Sequence, residues 1–228
     1  MTAAARFFIT GTDTGCGKTE TTLTLMAALK QQGLKVAGMK PVASGGRTAS
    51  GHTVNKDAAR LQAASSMALD YDRVCPWSLP EPVAPHIAAA HAGREITSAP
   101  VLEAFTELSR KADAVVVEGI GGWRVPLSEN LRMPDLVALL RLQVILVVGL
   151  RLGCINHALL SMDGINNDGG VLMGWIANHV DPDYSSAVET VSYLTHAISA
   201  PLLGEIPFMH GGFDPVAAAA RIDLAALN

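Results

Sequence analysis

The sequence predicts an α/β fold of the doubly wound kind: a mostly parallel sheet with helices on both faces, three layers in all. Three observations carry that prediction. Apolar runs alternate with helical patterns along the whole chain. Two of those runs, Ala114–Val117 and Val144–Val148, are continuously apolar and rich in β-branched residues, as strands covered on both faces are. A glycine-rich turn, Gly11 to Thr19, joins the first strand to the first helix.

Taken in order, the strands are expected at Arg6–Thr10, Lys35–Lys40, Ala114–Glu118, Val144–Gly149, Leu172–Ala177 and Leu202–Glu205. The helices are expected at Lys18–Gln32, Lys56–Ser65, Val83–Ala92, Val101–Lys111, Met133–Leu140, Ile155–Asn167, Asp183–Ile198 and Pro215–Ala226. Ser44–Asn55, rich in Gly, Ser and Thr, reads as a mobile loop. No repeat or linker interrupts the pattern, so residues 1–228 read as one domain. In a doubly wound sheet, ligands bind at the carboxyl ends of the strands.

The Gly11–Thr19 turn is a phosphate-binding loop, which makes the fold a Rossmann-like P-loop NTPase. Its backbone N–H groups can converge on an oxyanion, Lys18 can reach the β- and γ-phosphates, and the Thr19 hydroxyl can ligate Mg²⁺. The usual pattern wants glycine at position 12. Thr12 stands there and the first glycine is Gly11, so the loop is one residue longer than usual.

The other strand ends carry further polar residues. Pro41 holds Lys40 extended at the sheet's edge, although a solvated surface lysine fits the residues equally. Asp57 lies near a helix start, where a carboxylate first complements the helix dipole. Glu118 ends a strand otherwise wholly apolar, the usual place for a Mg²⁺-side carboxylate, and Gly119, Gly121 and Gly122 after it allow close backbone approach. Asn178 offers an amide suited to a purine edge and is also a common turn former. Gly153 and Cys154 open a strand-to-helix turn with free N–H groups, and no elbow motif surrounds the thiol.

The composition narrows the function classes. Hydrophobic residues make up 49% of the chain and the net charge is −4, with no basic block, which argues against nucleic acid as a partner. The longest apolar run is far too short to span a bilayer, and the start of the chain lacks a signal-peptide core. Three scattered cysteines suggest neither a disulfide framework nor a zinc site, so a cytoplasmic protein is expected.

Several segments together closely resemble the dethiobiotin synthetases, over essentially the whole chain. They are Thr10-Gly11-Thr12-Asp13-Thr14 with Gly17-Lys18-Thr19, Lys40-Pro41-Val42-Ala43-Ser44-Gly45, Pro85-His86-Ile87, Val117-Glu118-Gly119 with Gly121-Gly122-Trp123, Val144–Gly149, Leu152-Gly153-Cys154-Ile155-Asn156-His157, and Pro201-Leu202-Leu203-Gly204-Glu205-Ile206-Pro207. The long first loop is normal for that family.

The resemblance implies an α/β homodimer that turns CO₂ (or bicarbonate), ATP and 7,8-diaminononanoate into dethiobiotin, ADP and phosphate, with Mg²⁺. It implies catalytic roles for Lys18, Lys40 and Thr14, and metal ligation by Thr19, Asp57 and Glu118. ATP contacts are implied at Gly15, Cys16, Gly17, Lys18, Thr19, Glu20, Asp57, Glu118, Gly119, Ile120, Gly121, Asn178, His179, Pro207, Phe208, Met209 and Asp214. Substrate contacts are implied at Thr14 and Ser44, and at Gly153, Cys154 and Asn156 from the partner subunit. Two positions depart from the family: Gly15 stands where several relatives are acidic, and Asp214 where Glu is expected.

Two competing readings fit less well. The amide-forming synthases of cobalamin synthesis need a glutaminase module, for which 228 residues leave no room. Partitioning ATPases carry an additional lysine early in the loop, where this chain has Gly11-Thr12-Asp13.

Overall fold

The computed structural model describes residues 5–227. In chain order the elements are β1 (Ala5–Gly11), α1 (Lys18–Gln31), β2 (Val36–Met39), β3 (Val42–Ala43), β4 (Arg47–Ala49), β5 (His52–Val54), α2 (Lys56–Ala64), α3 (Tyr71–Val74), β6 (Trp77–Ser78), α4 (Pro85–His91), α5 (Ala99–Lys111), β7 (Ala114–Glu118), α6 (Met133–Leu140), β8 (Gln143–Gly149), α7 (Cys154–Asn167), β9 (Val171–Asn178), α8 (Ala187–Ala197), β10 (Leu202–Ile206) and α9 (Pro215–Ala219). A 3₁₀ turn at Ala225–Leu227 follows.

Six strands form one sheet in the order β10-β9-β8-β1-β7-β2, and every neighbouring pair is parallel. Successive residues Phe7, Phe8, Ile9, Thr10 and Gly11 of β1 are all buried. Neighbours along a strand point to opposite faces, so both faces of the sheet are covered. β7 and β8 are likewise buried without alternation, and this is why their sequences read as continuous apolar runs. The fold is that of the α/β P-loop NTPases.

β1 lies between β7 and β8, with Ile9 opposite Glu118 and Gly11 opposite Val147. The phosphate loop therefore leaves the sheet flanked by the carboxyl ends of two neighbours. Gly149 at the end of β8 is required there: a Cβ on it would stand 2.9 Å from the Cα of Cys16.

Four segments differ from the expectation. Ser44–Asn55 contains a hairpin, β4 paired antiparallel with β5, turned by Ser50 and Gly51 at φ 50° and 80°. Two positive φ values in a two-residue loop match the twist of the flanking strands. The helix expected from Val83 begins at Pro85, because a residue preceding proline disfavours the helical region. The helix expected from Asp183 begins at Ala187, since the Asp181 side chain accepts from Asp183 N at 3.0 Å and turns the chain first. The last helix ends at Ala219 instead of Ala226. Beyond it, Asp223 N donates to Leu203 O at 2.7 Å and Ile222 bridges Gly204, so β10 takes the backbone bonds a longer helix would have used. The sequence reading also missed α3 and the short parallel pair β3–β6.

Candidate functional site

The phosphate loop runs from the end of β1 to the start of α1, with Gly15 and Gly17 in the left-handed region at φ 77° and 87°. Gly17 has no room for a side chain, because a Cβ would collide with the Asn178 amide. Lys18 is buried at the head of α1 and its ammonium donates to the Asp13 carbonyl at 2.8 Å. Burial disfavours that charge and sets the Lys18 pKa below the ordinary lysine value. Asp13 is fixed in turn: its carboxylate accepts from Thr14 N at 2.7 Å and from Arg151 Nη2 at 2.7 Å.

Glu118 is the centre of the site. Its Oε1 accepts from the Thr19 hydroxyl at 2.9 Å and from Lys40 Nζ at 2.5 Å. Lys40 also donates to the Gly119 carbonyl at 3.0 Å and lies 3.9 Å from Asp57 Oδ2. Burial would lower the Lys40 pKa, but the adjacent Glu118 carboxylate outweighs it and holds the pKa above the ordinary value. Lys40 is thus a buried cation within the cleft; the surface-lysine alternative is excluded by its burial. The second oxygen of Glu118, Oε2, is buried with no hydrogen-bond partner among the described residues.

These groups face a cleft of about 630 Å³. Of the expected site residues, Thr14, Gly15, Gly17, Lys18, Thr19, Glu20, Lys40, Ser44, Asp57, Glu118, Ile120 and Gly121 line it together. Asn55, Pro82, Val83, Ala84 and Val125 line it too, and the sequence reading did not find them. Asn55 carried a signal, an asparagine directly before a helix start. The apolar wall 82–84 carried none, while Pro85 beside it belongs to the segment Pro85-His86-Ile87.

A second cleft of about 330 Å³ adjoins the other side of the phosphate loop. Gly15, Gly17, Glu20, Asn178, His179, Pro207, Phe208 and Met209 line it, together with Val180 and Phe213. Asn178 is already engaged, donating from Nδ2 to the Cys16 carbonyl at 3.0 Å, so it braces the loop as well as facing this space. Cys16 is buried beneath the loop.

Gly119 lines neither cleft and reaches the site through its carbonyl on Lys40. Two further groups stand apart from both clefts. Asp214 is the N-cap of α9, accepting from Val216 N at 2.9 Å and Ala217 N at 3.2 Å. One carboxylate oxygen, Oδ1, serves the helix, and Asp214 lines neither cleft. The turn Gly153–Asn156 at the head of α7 lines neither cleft of its own chain. Cys154 there is buried, while Leu152 is 91% exposed.

Lys18 and Lys40 beside a phosphate loop can offset charge on a transferring phosphoryl group, and the Glu118 carboxylate beside Thr19 can take a divalent cation. The same architecture recurs in distant proteins. The crystal structure of a ParA family ATPase from Chlorobium tepidum superposes with a TM-score of 0.59 at 15% identity, over 98% of this chain and 99% of that one. Cell division protein FtsY from Thermotoga maritima gives 0.53 at 17%, over 97% and 68%. At such identities only the fold is shared. A family model described as an AAA domain matches residues 5–212. Much nearer in sequence is the ATP-dependent dethiobiotin synthetase BioD of Aromatoleum aromaticum, 48% identical over 98% of this chain and 99% of the relative. The protein of that name from Pseudomonas aeruginosa is 46% identical over 97% of each chain, and BioD 1 of Escherichia coli O157:H7 is 45% identical over 97% and 99%. Likeness of this degree, along nearly the whole length of each chain, means that the chain belongs to the dethiobiotin synthetase family.

Proposed function

We infer that this protein makes dethiobiotin in biotin biosynthesis. It is an ATP-dependent ligase that forms C–N bonds. The observation that carries the reading furthest is the meeting of Lys18, from the head of α1, and Lys40, from the end of β2, in one cleft with Glu118, Thr19, Asp57 and Ser44.

The finer reading is a three-step ring closure. One amine of 7,8-diaminononanoate adds to CO₂, loses a proton and becomes a carbamate. A carbamate oxygen attacks the γ-phosphorus of ATP and ADP departs. The second amine then attacks the carbamoyl carbon of that mixed anhydride, loses a proton and expels phosphate, which closes the ureido ring. Lys18 and Lys40 offset charge on the phosphoryl and carbamate oxygens. Thr14 and Ser44 hold the diamine side. Gly15, Gly17, Cys16 and Glu20 surround the phosphates with Gly119, Ile120 and Gly121 opposite. Asn178, His179 and the loop Pro207-Phe208-Met209 enclose the base.

Mg²⁺ fits this donor set. Among the described residues no three acidic, His or Cys side chains form a ready-made metal cluster. Mg²⁺ on a nucleotide needs only one or two carboxylates beside waters and phosphate oxygens. The orphaned Oε2 of Glu118 is a hard oxygen donor in want of a partner, and Thr19 and Asp57 complete the set. Bound there, the ion would supply charge neutralisation at the phosphates.

The protein acts as a homodimer with a shared site. The Gly153–Asn156 turn offers N–H groups at a helix start suited to the far carboxylate of the diamine. Because it lines neither cleft of its own chain, the partner's cleft is the one it would serve. Residues 1–228 act as one domain in the cytoplasm. No described helix is long and apolar enough to cross a membrane, and the three cysteines are free.

The test is release of ADP from ATP with and without diamine and bicarbonate. Release requiring both is expected. Release indifferent to the diamine overturns the reading.

A further inference from the structure

We propose that Asn55 is a positioning residue that sets the diamine side of the cleft against its metal side, a role resting on the functional reading above. Asn55 is 7% exposed and lines the cleft. Its side chain works in two directions at once. Oδ1 accepts from Asp57 N at 2.9 Å and Ala58 N at 3.2 Å, closing the first turn of α2. Nδ2 donates to the Ser44 carbonyl at 3.0 Å.

The backbone of Asn55 is held as well. Its N–H donates to the Tyr71 hydroxyl at 2.8 Å, and that hydroxyl lies 3.3 Å from Ser78 Oγ. Ser78 belongs to β6 and pairs with Ala43 of β3, the residue immediately before Ser44. Ser44, Asn55, Tyr71, Ser78 and Ala43 thus form a closed ring of contacts. The ring pinches the base of the β4–β5 hairpin, with Ser44 at its entry and Asp57 just past its exit.

Capping alone does not require this residue. A helix N-cap needs one acceptor, and Ser, Asp and Asn serve about equally. The amide donor is surplus to the cap, and the donor is what reaches Ser44. The structure therefore assigns Asn55 two separable jobs. The acceptor orients Asp57 through its backbone. The donor fixes Ser44 relative to that helix. Displacing a substrate-binding group by about 1 Å can cost about 100-fold in rate, so loss of the donor should read out in the diamine terms alone.

Two variants separate the jobs. Asn55→Ser keeps a capping acceptor and loses the reach to Ser44. Asn55→Asp keeps the cap, which a charge at a helix N-terminus favours, and turns a carboxylate toward the Ser44 carbonyl. Both should melt within a few degrees of the parent. Both should lose roughly 10- to 100-fold in kcat/KM for the diamine. In Asn55→Ser the KM for ATP should stay within about twofold, since no phosphate-loop contact is touched. Asn55→Ala loses both jobs and should in addition raise the Mg²⁺ needed for half-maximal turnover. A parental kcat/KM for the diamine in folded Asn55→Ser and Asn55→Asp overturns the proposal. So does a loss in Asn55→Ser shared equally between ATP and diamine. A parent protein whose ADP release ignores the diamine is a different result: it overturns the functional reading and this role together.

Discussion

Lys40 Nζ and Glu118 Oε1 lie 2.5 Å apart, both buried, at the carboxyl ends of the adjacent strands β2 and β7. Two opposite charges removed from water need each other, and taking away one strands the other. Changing Lys40 to Gln therefore has two predicted effects. Turnover should fall about 100- to 1000-fold, as for loss of a charge-stabilising donor. Stability should also fall, by about 3–5 kcal/mol, because Glu118 is left buried and unpaired. The double variant Lys40→Gln/Glu118→Gln removes both charges and should recover most of the melting temperature but none of the turnover. Turnover near the parental rate in the folded single variant would show that Lys40 does not act on the reacting groups.

Asp57 and Glu118 differ in burial, and their variants should differ accordingly. The Asp57 side chain is 40% exposed and lies 3.9 Å from Lys40 Nζ, its salt-bridge partner among the described residues. Asp57→Asn should fold and melt like the parent while demanding more Mg²⁺ for half-maximal turnover. The check is a Mg²⁺ titration at fixed ATP. Coincident titration curves for parent and variant remove Asp57 from the metal side.

The main frame of this site was legible in the sequence because its signals are local. The loop Gly11–Thr19 announces itself by glycine spacing, and Glu118 by being the one charge on an apolar strand. The hairpin β4–β5 was not legible: apart from the exposed Val54 its residues are polar or small, and the turn at Ser50-Gly51 is what distinguishes it from a loop. Lys40 could not be told from a surface lysine, since its burial depends on Glu118, 78 residues further on. The capping role of Asp214 was not separable from a ligand contact in the sequence, because a helix cap and a ligand contact ask for the same residue type. The double duty of Asn178, brace and wall, rests on contact with Cys16 across 162 residues, which no pattern within one segment records.

Asp168 closes α7 and accepts from Trp123 Nε1 at 2.9 Å and Arg124 Nε at 3.0 Å, tying the segment after β7 to that helix. Burial alone would raise its pKa, but the hydrogen bonds from Trp123 and Arg124 and the nearby Arg132 outweigh this and hold it below the usual 3.8. The carboxyl is more acidic folded than unfolded, so folding gains from its ionisation. That gain is complete above the ordinary value of 3.8 and drains away as pH falls through the lower folded value. Asp168→Asn keeps an acceptor for Trp123 and removes the charge. Its melting temperature should fall less than the parent's between pH 5 and pH 3, a window about the ordinary carboxylate value. Parallel curves would remove Asp168 from the acid response.

The exposed turn at the head of α7 gives the shared site its sharpest test. Gly153 sits at φ 92° with nothing within 4 Å of where a Cβ would be. The Cβ of Gly153→Trp therefore has open space among the described residues, and the backbone strain it adds is about 1–2 kcal/mol, which a melting curve can bound. The indole would instead stand over the N–H groups at the start of α7. Lys18→Ala disables the phosphate loop and leaves the turn intact. If each cleft is completed by the partner's turn, either variant alone is nearly inactive for a different reason. In a mixed dimer both defects fall on one site: the cleft with the altered loop faces the blocked turn, and the other cleft has a normal loop and a normal turn. Random exchange puts roughly half the population into such dimers, each with one working site. Activity should return to about a quarter of the parental value per subunit, from one site in two within half the dimers. Activity that stays absent after subunit exchange has been verified by mass would mean that each site is built within a single chain.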